Sequence, residues 1–165
     1  MRILGIDPGL KLTGFGVIDY SILRPSLVAG GVIRLDDKSS LASRLVELET
    51  ELESLFDEYK PEVVAVEQLY AHYAHPRTAI LMGHARGVIL LAAQRRNLRL
   101  EQFAANRIKQ SVTGHGHAHK SQMQKAIQLI WNLPEPPEPP DVADALAVAL
   151  CCGRYIHSKR VLPSV

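Results

Sequence analysis

Ile3-Leu4-Gly5-Ile6-Asp7-Pro8-Gly9, followed by Thr13-Gly14-Phe15-Gly16-Val17-Ile18-Asp19-Tyr20, joins an apolar run ending in a carboxylate to a second run through a Pro-Gly break. A short apolar run of this kind reads as a buried strand, and the Pro-Gly pair reads as a turn. Thr13–Tyr20 then reads as a second strand with Thr13, Phe15 and Val17 on one face, and Leu27–Leu35 as a third. Short turns between them imply an antiparallel meander. The carboxylate matters as much as the strand, because the end of a buried strand delivers its last side chain to a sheet edge where ligands bind.

Beyond these strands, Ser39 or Ser40 caps a helix predicted to run to Tyr59, with Leu41, Leu45, Leu48, Leu52, Leu55 and Phe56 at helical spacing. Pro61 stops it, and Val63-Val64-Ala65-Val66 forms a fourth strand that again closes on an acid, Glu67. A helix is predicted from Pro76, with Ile80, Leu81, Val88, Leu91 and Ala92 as its buried stripe. Gly83 and Gly87, four apart, let another element approach it closely. Leu98–Phe103 is a fifth strand, Ala104–Thr113 and Lys120–Trp131 are helices around the loop Gly114–His119, and Pro134–Pro140 is a stiff break. The last helix spans Asp141–His157. Strands first, then alternating helix and strand, predict an α/β fold with a mixed five-stranded sheet flanked by helices.

The chain of 165 residues suits one domain spanning 1–165, with enough length to bury a core without disulfides. A 47% hydrophobic and 22% charged composition is that of an ordinary globular protein. The N-terminal stretch is no secretory signal, and no run of about 18 apolar residues occurs, so a cytoplasmic location and no membrane association are expected. Cys151 and Cys152 are neighbours and suit reduced packing residues better than a disulfide.

A net charge of +2 conceals a segregation along the chain. Asp36–Glu67 carries ten acids against Lys38, Arg44 and Lys60, whereas Gln68–Trp131 carries nine Lys or Arg against Glu101 alone, with six of the seven histidines. A polyanion partner for the middle segment is one reading, and solvated helix faces are the other.

Four acids stand out: Asp7 and Glu67 at strand ends, and Asp141 and Asp144 three apart at a helix start. The helical pair alone would also serve as capping and macrodipole charges. The strand-end acids have no comparable structural reason. Two charges about 4 Å apart repel by roughly 4 kcal/mol at an effective dielectric near 20, so four gathered carboxylates require cations. Hard oxygen ligands suit magnesium or manganese. Metal-assisted phosphodiester cleavage is the chemistry these residues point to.

The motifs Gly5-Ile6-Asp7-Pro8-Gly9, Thr13-Gly14-Phe15-Gly16, Val66-Glu67-Gln68, Ala85-Arg86-Gly87-Val88, Lys109-Gln110, Gly114-x-Gly116-x-Ala118-x-Lys120-Ser121-Gln122 and Asp141-Val142-Ala143-Asp144-Ala145-Leu146 follow one another along nearly the whole chain. In that order they resemble the RuvC family of Holliday-junction resolvases. The resemblance implies a ribonuclease H-like fold and a crossover junction endodeoxyribonuclease. Its metal-binding and catalytic acids would be Asp7, Glu67, Asp141 and Asp144, holding two magnesium ions, or manganese, per site. It implies Lys120 beside the scissile phosphate and Lys109 on DNA. Tyr70 would stack on an unpaired base near the crossover, and Arg77 joins the expected DNA contacts.

The resemblance further implies a homodimer nicking four-way junction DNA symmetrically during recombination and repair, leaving 5′ phosphate and 3′ hydroxyl ends. It also implies partnership with the branch-migration helicase complex (RuvA, RuvB). The exposed stripe of the Pro76 helix is the candidate dimer surface. Ala71–Arg77 departs from the Asn- and Lys-rich stretch of many relatives, and His115, His117 and His119 fall where the family varies. A flexible glycine loop lacks the rigidity of a zinc site, so phosphate contact is the favoured reading for these histidines.

Two other function classes share some of these features. A branched-DNA binding module that does not cut explains the basic segment but not four acids facing phosphates. A phosphate-binding half of an actin-like or sugar-kinase ATPase requires a second half that the sequence lacks. Within the nucleases, the runner-up is a ribonuclease H-like enzyme acting on another structured nucleic acid.

Overall fold

The computed structural model describes residues 1–69 and 76–161. Its strands are β1 (Arg2–Asp7), β2 (Leu12–Asp19), β3 (Ser26–Arg34), β4 (Val63–Glu67) and β5 (Arg99–Phe103). Its helices are α1 (Leu41–Tyr59), α2 (Pro76–Arg95), α3 (Ala105–Thr113), α4 (Lys120–Trp131) and α5 (Pro140–Val161). The predicted elements all form, within a few residues of their expected ends. Ser40 caps α1 by accepting from the Ser43 amide at 3.1 Å, and Lys60 ends it in the left-handed region just ahead of Pro61.

The strands form one mixed sheet in the order β3-β2-β1-β4-β5. β1 to β3 are the antiparallel meander, while β4 runs parallel to both β1 and β5. Period-two alternation sorts each strand between two cores. Leu4, Ile6, Val17, Val64 and Val66 point into the core beneath α1 and α2. Ile3, Ile18, Val63, Ala65 and Phe103 point into the core beneath α3, α4 and α5. By the same parity, Gly5, Asp7 and Glu67 belong to the α3–α5 side.

α5 lies directly on that side, against β1 and β2. Two glycines make the approach close: a Cβ at Gly5 would overlap the Ala145 carbonyl, and one at Gly14 would overlap the Asp141 carbonyl. The helix meets the sheet with Ala145 and Ala149, small residues that suit this spacing. Cys151 and Cys152 are buried free thiols in α5, and burial pushes Cys152 up to about 12, so both act as packing residues.

Two expectations change. Of the expected α2 stripe, Ala92 is buried and Leu81 and Val88 pack against the core, but Ile80 and Leu91 are 60% and 50% exposed, and Ala85, Ile89 and Ala93 take the innermost positions instead. The helix has apolar residues on two faces, and the alanines win because they fit close beside the sheet and α1. Nothing lies within 4 Å of a Cβ built at Gly87, and one built at Gly83 would meet only the Leu69 side chain at 4.0 Å, so no helix or strand of the described chain uses the approach those glycines permit.

The charge segregation also has an internal component. Arg95 bridges to Glu49, and Arg96 bridges to Glu53 and Asp57, so the basic end of α2 pairs with the acidic face of α1. Among the described residues no helix is long and apolar enough to cross a membrane.

Candidate active site

β1 and β4 are paired with Ile6 opposite Val66, so the next residues, Asp7 and Glu67, end neighbouring parallel strands about 4.8 Å apart. Parity turns both toward α5. The first turn of α5 carries Asp141, with Asp144 three residues on and so on the same side. Gly14, paired with Asp7 across β1 and β2, lets the Asp141 backbone settle against the sheet. Four acids from three distant segments thereby line one cleft of about 390 Å³.

The turn after Asp7 is clamped from β2. Thr13, fully buried, donates its hydroxyl to the Gly9 carbonyl at 2.5 Å and accepts from the Gly9 amide at 3.3 Å. Arg44 of α1 adds a hydrogen bond to the Leu10 carbonyl. These contacts hold the chain leaving Asp7, and composition or periodicity offers no signal for them.

The opposite wall brings Lys109 and Lys120 into the cleft. Lys109 sits mid-α3 beside Ile108, whose burial anchors that helix. Thr113 donates to the Lys109 carbonyl at 2.8 Å and accepts from the His115 amide at 3.1 Å, closing α3 into the following loop. Buried Ala118 pins that loop to the core, and Gln122 accepts from the His119 amide at 2.8 Å, starting α4 with Lys120 at the cleft. Pro8, Gly9, Leu12, Met82, Ala105, Ile108 and Met123 complete the lining, largely apolar; sequence patterns mark Pro8 and Gly9 as a turn and do not single out the rest.

The electrostatics of the cleft follow from its geometry. Burial, reinforced by Glu67, Asp144 and Asp141, pushes the Asp7 carboxyl up to about 8, although Lys120 opposes this. Burial and then Asp144 push Glu67 up to about 7 against Lys109 and Lys120. Asp144 is raised by burial as well. Neither lysine forms a salt bridge among the described residues, so both cations act at a distance and keep their donors for an incoming anion.

Such a site fits divalent metal. Its donors are hard oxygens, and the raised carboxyls are charges that the protein leaves uncompensated. Among the described residues no three His, Cys, Asp or Glu close into a finished metal cage. Magnesium does not require one, since it is commonly held by one or two carboxylates, water and substrate phosphate. The arrangement is an open one that a phosphodiester would complete.

A pH dependence follows. Between their ordinary values and about 8 and 7, Asp7 and Glu67 hold protons in the folded protein that the unfolded chain has released. Stability of the chelated protein therefore falls as pH rises through that interval, by at most about 1.4 kcal/mol per pH unit for each group. Melting with a chelator should show Tm dropping from about pH 5 to about pH 8, with magnesium restoring more at the upper end because ligands must be deprotonated. A flat profile would contradict the assigned shifts.

Of the other expected site residues, Arg77 is exposed near the start of α2 and does not line the cleft. Tyr70 lies outside the described residues. His115, His117 and His119 are all exposed on the loop before α4.

Residues 3–152 match the family described as crossover junction endodeoxyribonuclease RuvC. The protein of that description from Rhodopirellula baltica is 47% identical over 159 residues, covering 96% of this chain and 89% of its own. The one from Heliobacterium modesticaldum is 45% identical over 156 residues, covering 94% and 96%. The Thermus thermophilus RuvC structure superposes with a TM-score of 0.85 at 30% identity over 96% of both chains. The same protein in complex with Holliday junction substrate gives 0.88 at the same identity and coverage. The yeast mitochondrial Holliday junction resolvase, 17% identical with a TM-score of 0.70 over 98% and 82% of the two chains, shares the fold.

Proposed function

The chain belongs to the RuvC family of crossover junction endodeoxyribonucleases and is an endonuclease that resolves Holliday junctions; we propose that it does so by metal-dependent, paired nicking of opposed strands. The observation carrying this reading is the convergence of Asp7, Glu67, Asp141 and Asp144 in one cleft facing Lys109 and Lys120. A non-cutting junction binder would be weakened by four acids facing phosphates, which speaks against that alternative.

In this reading Asp7, Glu67, Asp141 and Asp144 hold two divalent ions, magnesium with manganese as substitute. When bound, such ions stabilise the attacking and leaving oxygens of an in-line displacement. Asp7 and Glu67, released of their protons, fix the negative end of the site on two rigid strand termini. Lys120 neutralises charge building on the scissile phosphate. Lys109 binds the adjoining backbone, and the apolar wall of Leu12, Met82 and Met123 limits water around it. The products carry a 5′ phosphate and a 3′ hydroxyl. Tyr70 and Arg77 serve the junction centre, where aromatic stacking contributes about 1–3 kcal/mol per base.

A junction has near two-fold symmetry, so a homodimer presents two such clefts to opposed strands. The exposed face of α2, with Ile80, Gly83, Gly87 and Leu91 around a shallow groove, supports a dimer surface. Leu91→Glu should then sediment as a monomer and leave a cruciform plasmid nicked once rather than linearised. A dimeric variant producing paired cuts would remove α2 from the interface. We read residues 1–165 as one nuclease domain acting in the cytoplasm with the branch-migration helicase complex (RuvA, RuvB).

The deciding experiment is incision of a mobile four-way DNA junction with magnesium, set beside linear duplex and structured RNA. Symmetric cuts confined to the junction are expected. Equal cleavage of RNA would move the assignment to another ribonuclease H-like nuclease.

A further inference from the structure

Only some of the described cations are ion-paired. Arg2, Lys11, Arg95, Arg96 and Arg99 each lean on an Asp or Glu. They lie on the sheet, on the β1–β2 connection or at the end of α2. Among the described residues no Lys or Arg of α3, α4 or α5 forms a salt bridge. The helices on the side of the sheet bearing the carboxylate cleft therefore carry no ion-paired cation among the described residues, although Arg34, Arg44 and Arg86 elsewhere in the fold form no salt bridge either. Sequence position alone does not show this, because Arg95 and Arg96 fall inside the basic middle segment and are neutralised, whereas Arg154 and Lys159 fall outside it.

Lys109 and Lys120 belong to the cleft and Lys125 bonds to Gln128 on its own helix, but three further cations of α3 and α5 gather elsewhere. Arg107 is two residues from Lys109 on α3 and so projects to another side of that helix. Its guanidinium carbon lies 4.5 Å from the centroid of the Tyr155 ring and 5.5 Å from that of Phe103. The Lys159 ammonium is 4.6 Å from the same Tyr155 ring. Arg154 donates to the Ser111 carbonyl, one turn of α3 beyond Arg107. All three side chains are exposed, and Tyr155 and Phe103 are themselves held edge to face, with centroids 5.4 Å apart.

A ring face attracts a cation without neutralising it, so two cations sharing one tyrosine still repel each other. What the ring provides is orientation. A guanidinium lying over an aromatic keeps its in-plane N–H donors directed outward, and that planar fork matches phosphate oxygens. α3 is consequently a ridge with the catalytic cleft on one flank and a pre-oriented cation cluster on the other.

We propose that Arg107, Arg154 and Lys159, arranged around Tyr155, form a second backbone-phosphate contact that holds a duplex arm of the junction after it leaves the cleft. The inference rests on the resolvase reading and adds to it a surface outside the catalytic machinery. Contacts of this kind carry no base information; they fix the register of the arm against the cleft.

The test is junction binding in the presence of a chelator, which prevents cutting, measured over a salt series and with junctions whose arms are shortened stepwise. For the wild-type chain, affinity should rise with arm length. In R107Q/R154Q/K159Q that gain should vanish, and the slope of log affinity against log salt should become shallower by about three, one for each phosphate that is no longer neutralised. R154Q/K159Q leaves Arg107 on its rings and should be shallower by about two. It keeps the test decisive should the triple variant fail to fold. The charge-retaining R154K/K159R should hold the wild-type slope. Wild-type slope and arm-length gain in the double glutamine variant would overturn the inference, as would a wild-type chain indifferent to arm length. If the wild-type chain does not prefer a four-way junction over linear duplex, the resolvase reading falls too, so the two failures are distinguishable.

Discussion

Asp7→Asn should cut a four-way junction at least about 10³-fold more slowly than the wild-type chain at saturating magnesium, an effect as large as removing one preorganised transition-state interaction, or larger. The substitution is nearly isosteric, so the strand end and its Thr13-clamped turn should persist. What it removes is one hard oxygen ligand and the most strongly perturbed charge of the cleft, raised by burial and by Glu67, Asp144 and Asp141. Two further changes separate this cause from misfolding. The chelated variant should melt higher than the wild-type chain at about pH 8, because a buried charge repelled by its neighbours is gone. Junction binding without metal should hold or tighten, because one negative charge no longer faces phosphate. Single-turnover nicking, thermal melting and chelated binding measure the three. Nicking within tenfold of wild type would remove Asp7 from the catalytic set.

Gly14→Val should reduce nicking by about 10²-fold, the order associated with displacing a reacting group by about 1 Å. It should also lower stability by roughly 1–3 kcal/mol, as overpacking does. Gly14 touches no substrate in the proposed reaction. Its role is to be absent as a side chain, since any Cβ there would overlap the carbonyl of Asp141. Backbone cannot rotate out of the way as a flexible side chain can, so the start of α5 must move, and Asp141 and Asp144 move with it. The expected signature is a raised magnesium requirement in a protein that is still folded, read by nicking rate against magnesium concentration well below Tm. A destabilised variant with an unchanged magnesium requirement would mean that α5 yields elsewhere and that the helix start is not what sets the site.

The strand-end acids show how far local pattern carries. An apolar run closing on Asp7 and another closing on Glu67 are visible without coordinates, and parity within each strand follows once the core faces are known. That the two acids stand abreast required the parallel pairing of β1 with β4, which places Ile6 opposite Val66. For Asp141 and Asp144, local chemistry is satisfied equally well by capping, and the close seat of α5 on Gly5 and Gly14 is what brings them to the same cleft. α2 shows the reverse: its periodicity is clear, yet apolar residues on two faces leave the inward one undecided until Ala85, Ile89, Ala92 and Ala93 are seen against the core.

Charge behaves the same way, since counting along the chain groups Arg95 and Arg96 with Lys109 and Lys120. In three dimensions the first pair is taken up by α1, while Arg154 and Lys159 come beside Arg107 on α3. The order of residues was enough to specify the elements, their approximate ends and the acids and lysines that line the cleft, because propensity, periodicity and chain termination act over a few neighbouring residues. Which acids meet, which cations remain uncompensated and how near α5 comes to the sheet were settled only by long-range packing, because register, close approach and ion pairing join residues far apart in the chain.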